Sequence, residues 1–307
     1  MSKCYQMPLF AALIASVLAG SIRAETLWIA RANGAFLSSF DSSSPGTLLS
    51  SVSVSGLVAG DSIYGIDFHP VTGVLYGYAG ASGRLYTLDK VTGVATAVGT
   101  SLTVANFRTA MSFNTAGTEI RIVHQAGTNF RINPLDGTLL GTDTSTNEDG
   151  LNGIAYTSTP TVYALEDGTG FSFSIGSIGG SPNSPNSGLV SLIGTSGIFT
   201  TSQYNFDISE STGVAYVDDG GGGGGGTLNL WTLNLVTGVG TYVGAIDTGL
   251  SNSRGLAVQP VPEPASLGLM VLCSLSATGF VRRKLSKQVT RTSFKTRNTN
   301  RTLARSG

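Results

Sequence analysis

Residues 62–99 read SIYGIDFHPVTGVLYGYAGASGRLYTLDKVTGVATAVG and contain one complete unit of an internal repeat. Four short segments rich in β-branched and aromatic residues follow one another in it, namely YGIDF, VLYGY, RLYTL and VATAV. A Thr-Gly or Ser-Gly pair lies in each of the connections between them, and glycine adopts the positive φ that tight hairpin turns need. The stretch therefore predicts four antiparallel strands joined by hairpins.

The same four-strand cycle recurs in residues 109–141, 152–194 and 204–244. First strands recur every 43 to 52 residues, which is the period of a β-propeller blade. We attribute the longest spacing to the glycine run at 220–226. Aligning the first strands brings one small or polar residue of each copy into register: Gly65, Ala110, Gly153, Asn205 and Gly255.

The two ends of the body complete this pattern. Residues 26–52 have the pattern of a second, third and fourth strand without a first, and residues 255–258 that of a first strand without successors. Joined, they make a fifth blade, and strands from both ends would close the ring and remove open sheet edges. The sequence predicts an all-β, five-bladed β-propeller over residues 25–260, with a β-sandwich or β-solenoid as the alternative.

The N-terminus has the pattern of a secretory signal peptide over residues 1–24. A basic Lys3 precedes an apolar run at 7–20, and Ala24 provides a small-residue cleavage site, with Ser21 as the alternative. The run is shorter than the roughly 20 apolar residues that a spanning helix needs. We therefore expect a cleaved signal helix and an exported protein.

The C-terminus combines three features in order. Val261-Pro262-Glu263-Pro264 is followed by the largely apolar segment 267–281 and then by Arg282-Arg283-Lys284. Two prolines around a glutamate exclude a helix or a central strand at that point. As a transmembrane helix, the segment would be about 22 Å long at ~1.5 Å per residue, and the basic cluster would stay in the cytoplasm.

This arrangement closely resembles the PEP-CTERM sorting signal of Gram-negative bacteria over residues 261–284. The resemblance implies that an exosortase-type enzyme recognises Pro262, Glu263 and Pro264. It also implies an inner-membrane intermediate held by 267–281, and delivery to the cell surface or extracellular matrix, often beside exopolysaccharide. Residues 285–307 depart from the family pattern, and their basic, Thr/Ser-rich composition predicts a disordered tail. An uncleaved single-span anchor is the alternative.

Charge and cysteine content restrict the function of the body. Residues 25–260 contain 7 basic and 17 acidic residues, so their net charge is 7 − 17 = −10. Such an acidic surface disfavours nucleic acid as a partner, because phosphate contacts need basic residues. Cys4 and Cys273 lie outside the body, which therefore has neither a disulfide nor a thiolate site.

The sequence contains no nucleophile elbow, zinc-protease motif or phosphate-binding loop, so we predict no catalytic residue and no organic cofactor. His69 and His124 are expected at opposite ends of the propeller, as turn or surface residues. Asp67 and Asp207 occupy equivalent first-strand positions, where they could line the channel or serve in packing or turns.

Acidic residues concentrate in the loops expected on one face of the propeller. Oxygen-rich loops suit Ca²⁺, and Asp143, Asn147 and Asp149 are the best candidate ligands, although their spacing departs from that of an EF-hand. Solvated loop acids are the alternative. The loop acids are Asp61, Asp143, Glu148, Asp149, Glu166, Asp167, Asp218, Asp219 and Asp247.

Leu88-Asp89-x-x-Thr92-Gly93, which recurs in part at residues 234–238, is similar to a turn pattern in an uncharacterised bacterial secreted family of propeller-like repeats. That resemblance implies no established activity. We expect a non-enzymatic protein of the cell surface or matrix that binds a glycan or another protein. One alternative is a metal-dependent propeller hydrolase or lactonase, and another is a purely structural matrix component. The enzyme would use residues near the first-strand starts: Asp61, Asn106, Asp149 and Asn252.

Overall fold

The computed structural model describes residues 24–261, apart from 103–108, 158–160, 168–169, 178–183, 199–202, 222–225 and 247–251. The predicted signal peptide up to residue 23 and the predicted sorting segment after Val261 lie outside the described residues. Within the described residues, no helix is long and apolar enough to cross a membrane. The described chain forms five antiparallel sheets of four strands each.

The strands follow the chain in groups that we number as blades. Three strands of blade 1 come first, namely β1 Thr26–Arg31, β2 Phe36–Asp41 and β3 Ser44–Ser53. Blade 2 contains β4 Gly65–Phe68, β5 Leu75–Ala79, β6 Arg84–Leu88 and β7 Ala95–Val98. Blade 3 contains β8 Thr109–Phe113, β9 Ile120–His124, β10 Asn129–Ile132 and β11 Leu139–Thr142.

Blade 4 contains β12 Leu151–Tyr156, β13 Thr161–Glu166, β14 Phe171–Ser177 and β15 Val190–Thr195, with a short 3-10 helix Pro185–Ser187 before β15. Blade 5 contains β16 Asn205–Ile208, β17 Ala215–Asp218, β18 Leu228–Leu233 and β19 Gly240–Ile246. The last strand, β20 Ser253–Val258, pairs with β1 and completes blade 1. The first strands β4, β8, β12, β16 and β20 pack against one another in a closed ring.

The predicted five-bladed propeller is confirmed, and the structure corrects one detail. The longest spacing between first strands falls in blade 4, where the connection from β14 to β15 contains the 3-10 helix. The glycine run lies in blade 5, between β17 and β18, and so cannot cause it. That prediction was wrong because it attributed the extra residues of blade 4 to the glycine run, which is the more conspicuous low-complexity stretch.

The ring closes through the pairing of β1 with β20, in a register that runs from Leu27 opposite Val258 to Ala30 opposite Gly255. Next to the pairing, the indole N–H of Trp28 donates to the side-chain carbonyl of Gln259 at 2.8 Å. Strands from both ends of the body are therefore joined in a single sheet.

Glu25 adds a second tie at the start of β1. Its carboxylate is buried and accepts hydrogen bonds from four hydroxyl groups of blade 5. Such bonds satisfy a buried acid without a counter-ion. The donors are Ser209, Ser211, Thr212 and Tyr216.

The aligned small residues have a clear packing role in the ring. A Cβ on Gly65, Gly153 or Gly255 would lie 2.9, 2.7 or 2.8 Å from an atom of the neighbouring first strand. These distances are too short for real side chains, so glycine is needed where the first strands converge on the axis. The register predicted from the sequence is thus the contact line between blades.

Candidate functional site

An axial channel runs between the first strands. We call the end where these strands begin the top end, and the end where they finish the bottom end. A cavity of about 220 Å³, open mouth included, lies in the top half of the channel, and one of about 400 Å³ lies at the bottom end. The two ends differ in how their polar groups are satisfied.

At the bottom end, the innermost strands present backbone N–H groups to the axis. A first strand has a sheet neighbour on one side only, so its other edge needs hydrogen-bond acceptors from elsewhere. Three side chains, one each from blades 2, 3 and 5, supply these acceptors. The ring of N–H groups belongs to Phe68, Phe113, Tyr156, Ile208 and Val258.

Asp67 and Ser112 link three neighbouring blades at this level. Asp67 Oδ1 accepts from the N–H of Phe68 at 2.6 Å, and Oδ2 accepts from that of Phe113 in blade 3 at 2.7 Å. Ser112 Oγ then accepts from the N–H of Tyr156 in blade 4 at 3.3 Å. Each side chain therefore bonds across a blade boundary.

Asp207 repeats the arrangement in blade 5. Its Oδ1 accepts from the N–H of Ile208 at 2.7 Å, and its Oδ2 accepts from that of Val258 in blade 1 at 2.6 Å. The equivalent positions of blades 4 and 1 are Ala155 and Ala257, which have no acceptor, so each aspartate serves two N–H groups. Asp67 and Asp207 thus line the bottom cavity and also hold the blades together.

Burial dominates the ionisation of these two carboxyl groups. Desolvation raises the pKa of Asp67 to about 7, and the bonds from Phe113 and Phe68 offset only part of this rise. Desolvation also raises the pKa of Asp207 well above its ordinary value, and the nearby charge of Asp67 adds to the shift. The pair therefore takes up protons in the native state more readily than in the unfolded chain.

The top end differs, because buried polar atoms without partners gather there. Among the described residues, these atoms are Ser82 Oγ, Arg84 Nε, His124 Nε2 and both amide atoms of Asn152. All four residues lie in loops or strand ends at the top end. Arg84 Nε is 3.5 Å from Asp61 Oδ2, an ion pair without hydrogen-bond geometry. Of these residues, only Asn152 lines the top cavity. Unpaired buried groups are rare in proteins, so the Asn152 amide marks a place that binds water or a ligand.

Arg254 and Tyr64 stand at the mouth of the top cavity. The Arg254 guanidinium lies 5.1 Å from the centroid of the Tyr64 ring and donates to the amide oxygens of Asn33, at 3.0 and 3.2 Å, and Gln203, at 3.4 Å. In the described chain, no carboxylate lies within ion-pair distance of it. Among the described residues, neutral dipoles and an aromatic face are what balances the positive charge.

A buried acid lies beside this mouth. Asp218 accepts from the side chains of Asn205 at 2.7 Å and Ser253 at 2.9 Å, and from the N–H of Gly220 at 3.0 Å. Burial raises its pKa to about 7, and these bonds partly offset the rise. Asn205, which lines the cavity, is thus held in place by Asp218.

The predicted calcium ligands do not converge in the structure. Both oxygens of Asp143 accept from Arg131, at 2.8 and 3.0 Å, and Oδ2 also accepts from Arg121 at 2.9 Å. Asn147 Oδ1 accepts from the N–H of Val190 at 2.6 Å, and Asp149 is exposed. No group of three His, Cys, Asp or Glu side chains in the described chain is arranged to hold a metal ion. Calcium binding at these residues stays a prediction.

Arg121 explains why Asp143 is engaged. Its side chain is almost fully buried between blades 3 and 4, and it donates to Tyr156, Asn129 and Asn186 as well as to Asp143. A buried guanidinium needs acceptors for its N–H groups and a compensating charge. Asp143 supplies that charge.

The other predicted site residues are dispersed. Asp61 Oδ2 accepts from the Tyr86 hydroxyl at 2.6 Å, and Asn252 has a positive φ of 73° in the turn before β20. Asn106 and Asp247 lie outside the described residues. His69 packs near Phe113 at the bottom end, with ring centroids 5.1 Å apart, whereas His124 ends β9 at the top end, so the two histidines are apart as predicted. The expectation that both are turn or surface residues was wrong for His124, which is buried in β9 and packs on Phe130.

The profile of a domain of unknown function, DUF4394, matches residues 36–257. The chain belongs to this family. A search of curated proteins finds no match.

Solved structures similar to this DUF4394 chain show the fold alone. A chain of the nidogen/laminin complex aligns with 77% of this chain and 98% of its own length, at 10% identity and a TM-score of 0.50. A protein of unknown function from Bacteroides caccae aligns over 74% of both chains, at 11% identity and a TM-score of 0.41. Hydrazine synthase from Kuenenia stuttgartiensis aligns over 71% of this chain and 62% of its own, at 14% identity and a TM-score of 0.41.

Sequence reasoning missed the residues of the top mouth. Asn152 and Arg254 directly precede the aligned Gly153 and Gly255, so the predicted register would have brought them to one level beside Tyr64. The residues one position before the aligned ones lie at the level where side chains surround the mouth. Gln203 carries no such signal, because it lies two residues before the aligned Asn205 rather than one.

The first prediction concerns the acids at the bottom end. Because the pKa of Asp67 is raised to about 7, the native state holds more protons than the unfolded chain between about pH 4 and pH 7. The free energy of unfolding should therefore fall as the pH rises through that window. Asp67→Asn cannot titrate, so its free energy of unfolding, measured by urea denaturation, should fall less than that of the wild type between about pH 5 and pH 8.

Asp89→Asn is the matched control. Asp89 lies in an exposed turn, where the N–H groups of Thr92 and Val91 lower its pKa, so this variant should keep the wild-type decline. An identical decline for Asp67→Asn and the wild type would contradict the role of burial at Asp67.

A second prediction separates an ion-pair role of Asp143 from a calcium role. Asp143→Ala should lower the free energy of unfolding by about 3 kcal/mol, because it leaves the buried Arg121 without its counter-charge. Asp149→Ala, at an exposed position, should change it by less than about 0.5 kcal/mol. The calcium hypothesis predicts instead that added Ca²⁺ raises the thermal midpoint of the wild type, and that both variants lose this rise equally.

Proposed function

We propose that the protein is exported through the signal peptide at 1–24 and sorted by the PEP-CTERM segment at 261–284. An exosortase-type enzyme acts on the inner-membrane intermediate held by the helix at 267–281, and the body then reaches the cell surface or extracellular matrix. There the propeller binds a glycan or another protein without catalysis.

The observation that supports binding is the contrast between the two channel ends. At the bottom end, Asp67 and Asp207 use all their carboxylate oxygens for backbone N–H groups, so their task is structural. At the top end, the buried amide of Asn152 has no hydrogen-bond partner, and no carboxylate of the described chain pairs with the guanidinium of Arg254. A ligand at the top mouth would bond to the Asn152 amide and pair with the Arg254 guanidinium.

The direction of the chain is consistent with this proposal. β1 starts and β20 finishes at the bottom end, so both ends of the body leave the ring there. Val261 follows β20 by only a few residues. The top mouth therefore lies at the end of the ring away from both ends of the body.

The enzyme alternative requires free acids or histidines around one cavity. Asp61 bonds to Tyr86 and pairs with Arg84, and no suitable group of metal ligands occurs among the described residues. Because Asp61 is engaged by Tyr86 and Arg84, we propose ligand binding rather than metal-dependent hydrolysis. A purely structural role would leave the unpaired amide of Asn152 without a purpose.

The sorting part of the proposal is tested by replacing Pro262, Glu263 and Pro264 with alanine. Because the processing enzyme is expected to read these residues, the variant should accumulate unprocessed in the inner-membrane fraction. Cell fractionation and immunoblotting measure this distribution.

The control replaces Thr290, Thr292 and Ser293 with alanine, since these residues lie beyond the basic cluster. This variant should be processed and displayed like the wild type. Normal surface display of the Pro262-Glu263-Pro264 variant would contradict the sorting proposal.

A further inference from the structure

Asn152 is the most unusual polar side chain of the channel. It is 1% exposed and lines the top cavity, yet neither its amide oxygen nor its amide nitrogen has a hydrogen-bond partner. A buried amide offers two donors and an acceptor, and leaving all of them unused costs stability. The side chain is therefore available to a ligand group that both donates and accepts, such as a hydroxyl.

Arg254 contributes the second recognition element. It lines the same cavity at a half-buried position, held by Asn33, Gln203 and the ring of Tyr64. A guanidinium has five N–H donors and pairs best with planar carboxylates. Because no carboxylate of the described chain pairs with it, a carboxylate supplied by a ligand would find its charge available.

The shape of the cavity limits how far a ligand enters. Gly65, Gly153 and Gly255 form part of the wall, and the inner space holds only about one water molecule below the open mouth. An extended chain cannot pass through such a channel. A single end group can place a hydroxyl inside and keep the rest of the molecule outside.

We propose that the top mouth binds the terminal residue of an acidic polysaccharide, a uronic acid. Its carboxylate pairs with Arg254, and one of its hydroxyls bonds to the Asn152 amide. This inference rests on the proposed glycan-binding function and names its site and ligand class. The mouth residues are an amide, a phenol and a guanidinium, which suit a hydroxylated ring better than the apolar side chains of a peptide.

The acidic body does not prevent this interaction. Repulsion between the net charge of the body and a polyanion acts at long range and is screened beyond about 8 Å at physiological salt. The contact with Arg254 forms at hydrogen-bond distance, where screening is weak. The body charge therefore slows association without abolishing the local ion pair.

Calorimetric titration of the full-length chain at physiological salt tests the proposal, with methyl glucuronide and methyl glucoside as probes. The glucuronide should bind at least about tenfold more tightly, since only it offers a carboxylate. Arg254→Gln should remove this difference, and Asn152→Leu should weaken both sugars. Arg84→Gln, at the same end but paired with Asp61, is the control and should change neither affinity.

Thermal midpoints of the variants check that each one folds, and Asn152→Ser replaces Asn152→Leu if the latter does not. No binding of either sugar, equal affinity for both, or an unchanged preference in Arg254→Gln would overturn the proposal. Tighter binding of an acidic tetrapeptide would overturn it as well, in favour of a peptide ligand. If the chain still co-sediments with whole polysaccharide in those cases, only this site is wrong and the proposed function stands.

Discussion

The pairing of β1 with β20 is the constraint on which the rest of the structure depends. A propeller has no independent core in any one blade, because each sheet buries its faces against its two neighbours. If β20 did not complete blade 1, both faces of the gap would expose apolar side chains. Leu27 and Ile29 pack in one cluster with Leu256 and Val258, and this cluster also includes residues of blade 5.

Convergence of five first strands on one axis has two consequences. It excludes side chains where strands touch, hence the glycines at 65, 153 and 255. It also leaves backbone N–H groups without sheet partners, which Asp67, Ser112 and Asp207 satisfy at the bottom end. The side chains of Asp67, Ser112 and Asp207 at the bottom end are thereby engaged by the fold, whereas the unpaired amide of Asn152 lies at the top end.

Much of the fold could be predicted because hairpin turns and strand periodicity are local signals, and counting them gave both the blade number and the closing strand. The site was harder, since hydrogen-bond satisfaction depends on partners distant in the chain. Asp143 has the residue type and loop position of a calcium ligand, and its ion pairs with Arg121 and Arg131 leave no pattern in the local sequence. The sequence around Glu25 does not indicate its role in closing the ring, because its four hydroxyl partners lie more than 180 residues away.

Native-state hydrogen exchange of the full-length chain tests the closed ring most directly, because it reports the opening free energy of each strand separately. The hydrogen-bonded amides of β1 and β20 should be as strongly protected as those of β8 and β12, since they open only with the whole ring. Protection of β1 and β20 no greater than that of surface loops, with the other four sheets still protected, would contradict the closed ring.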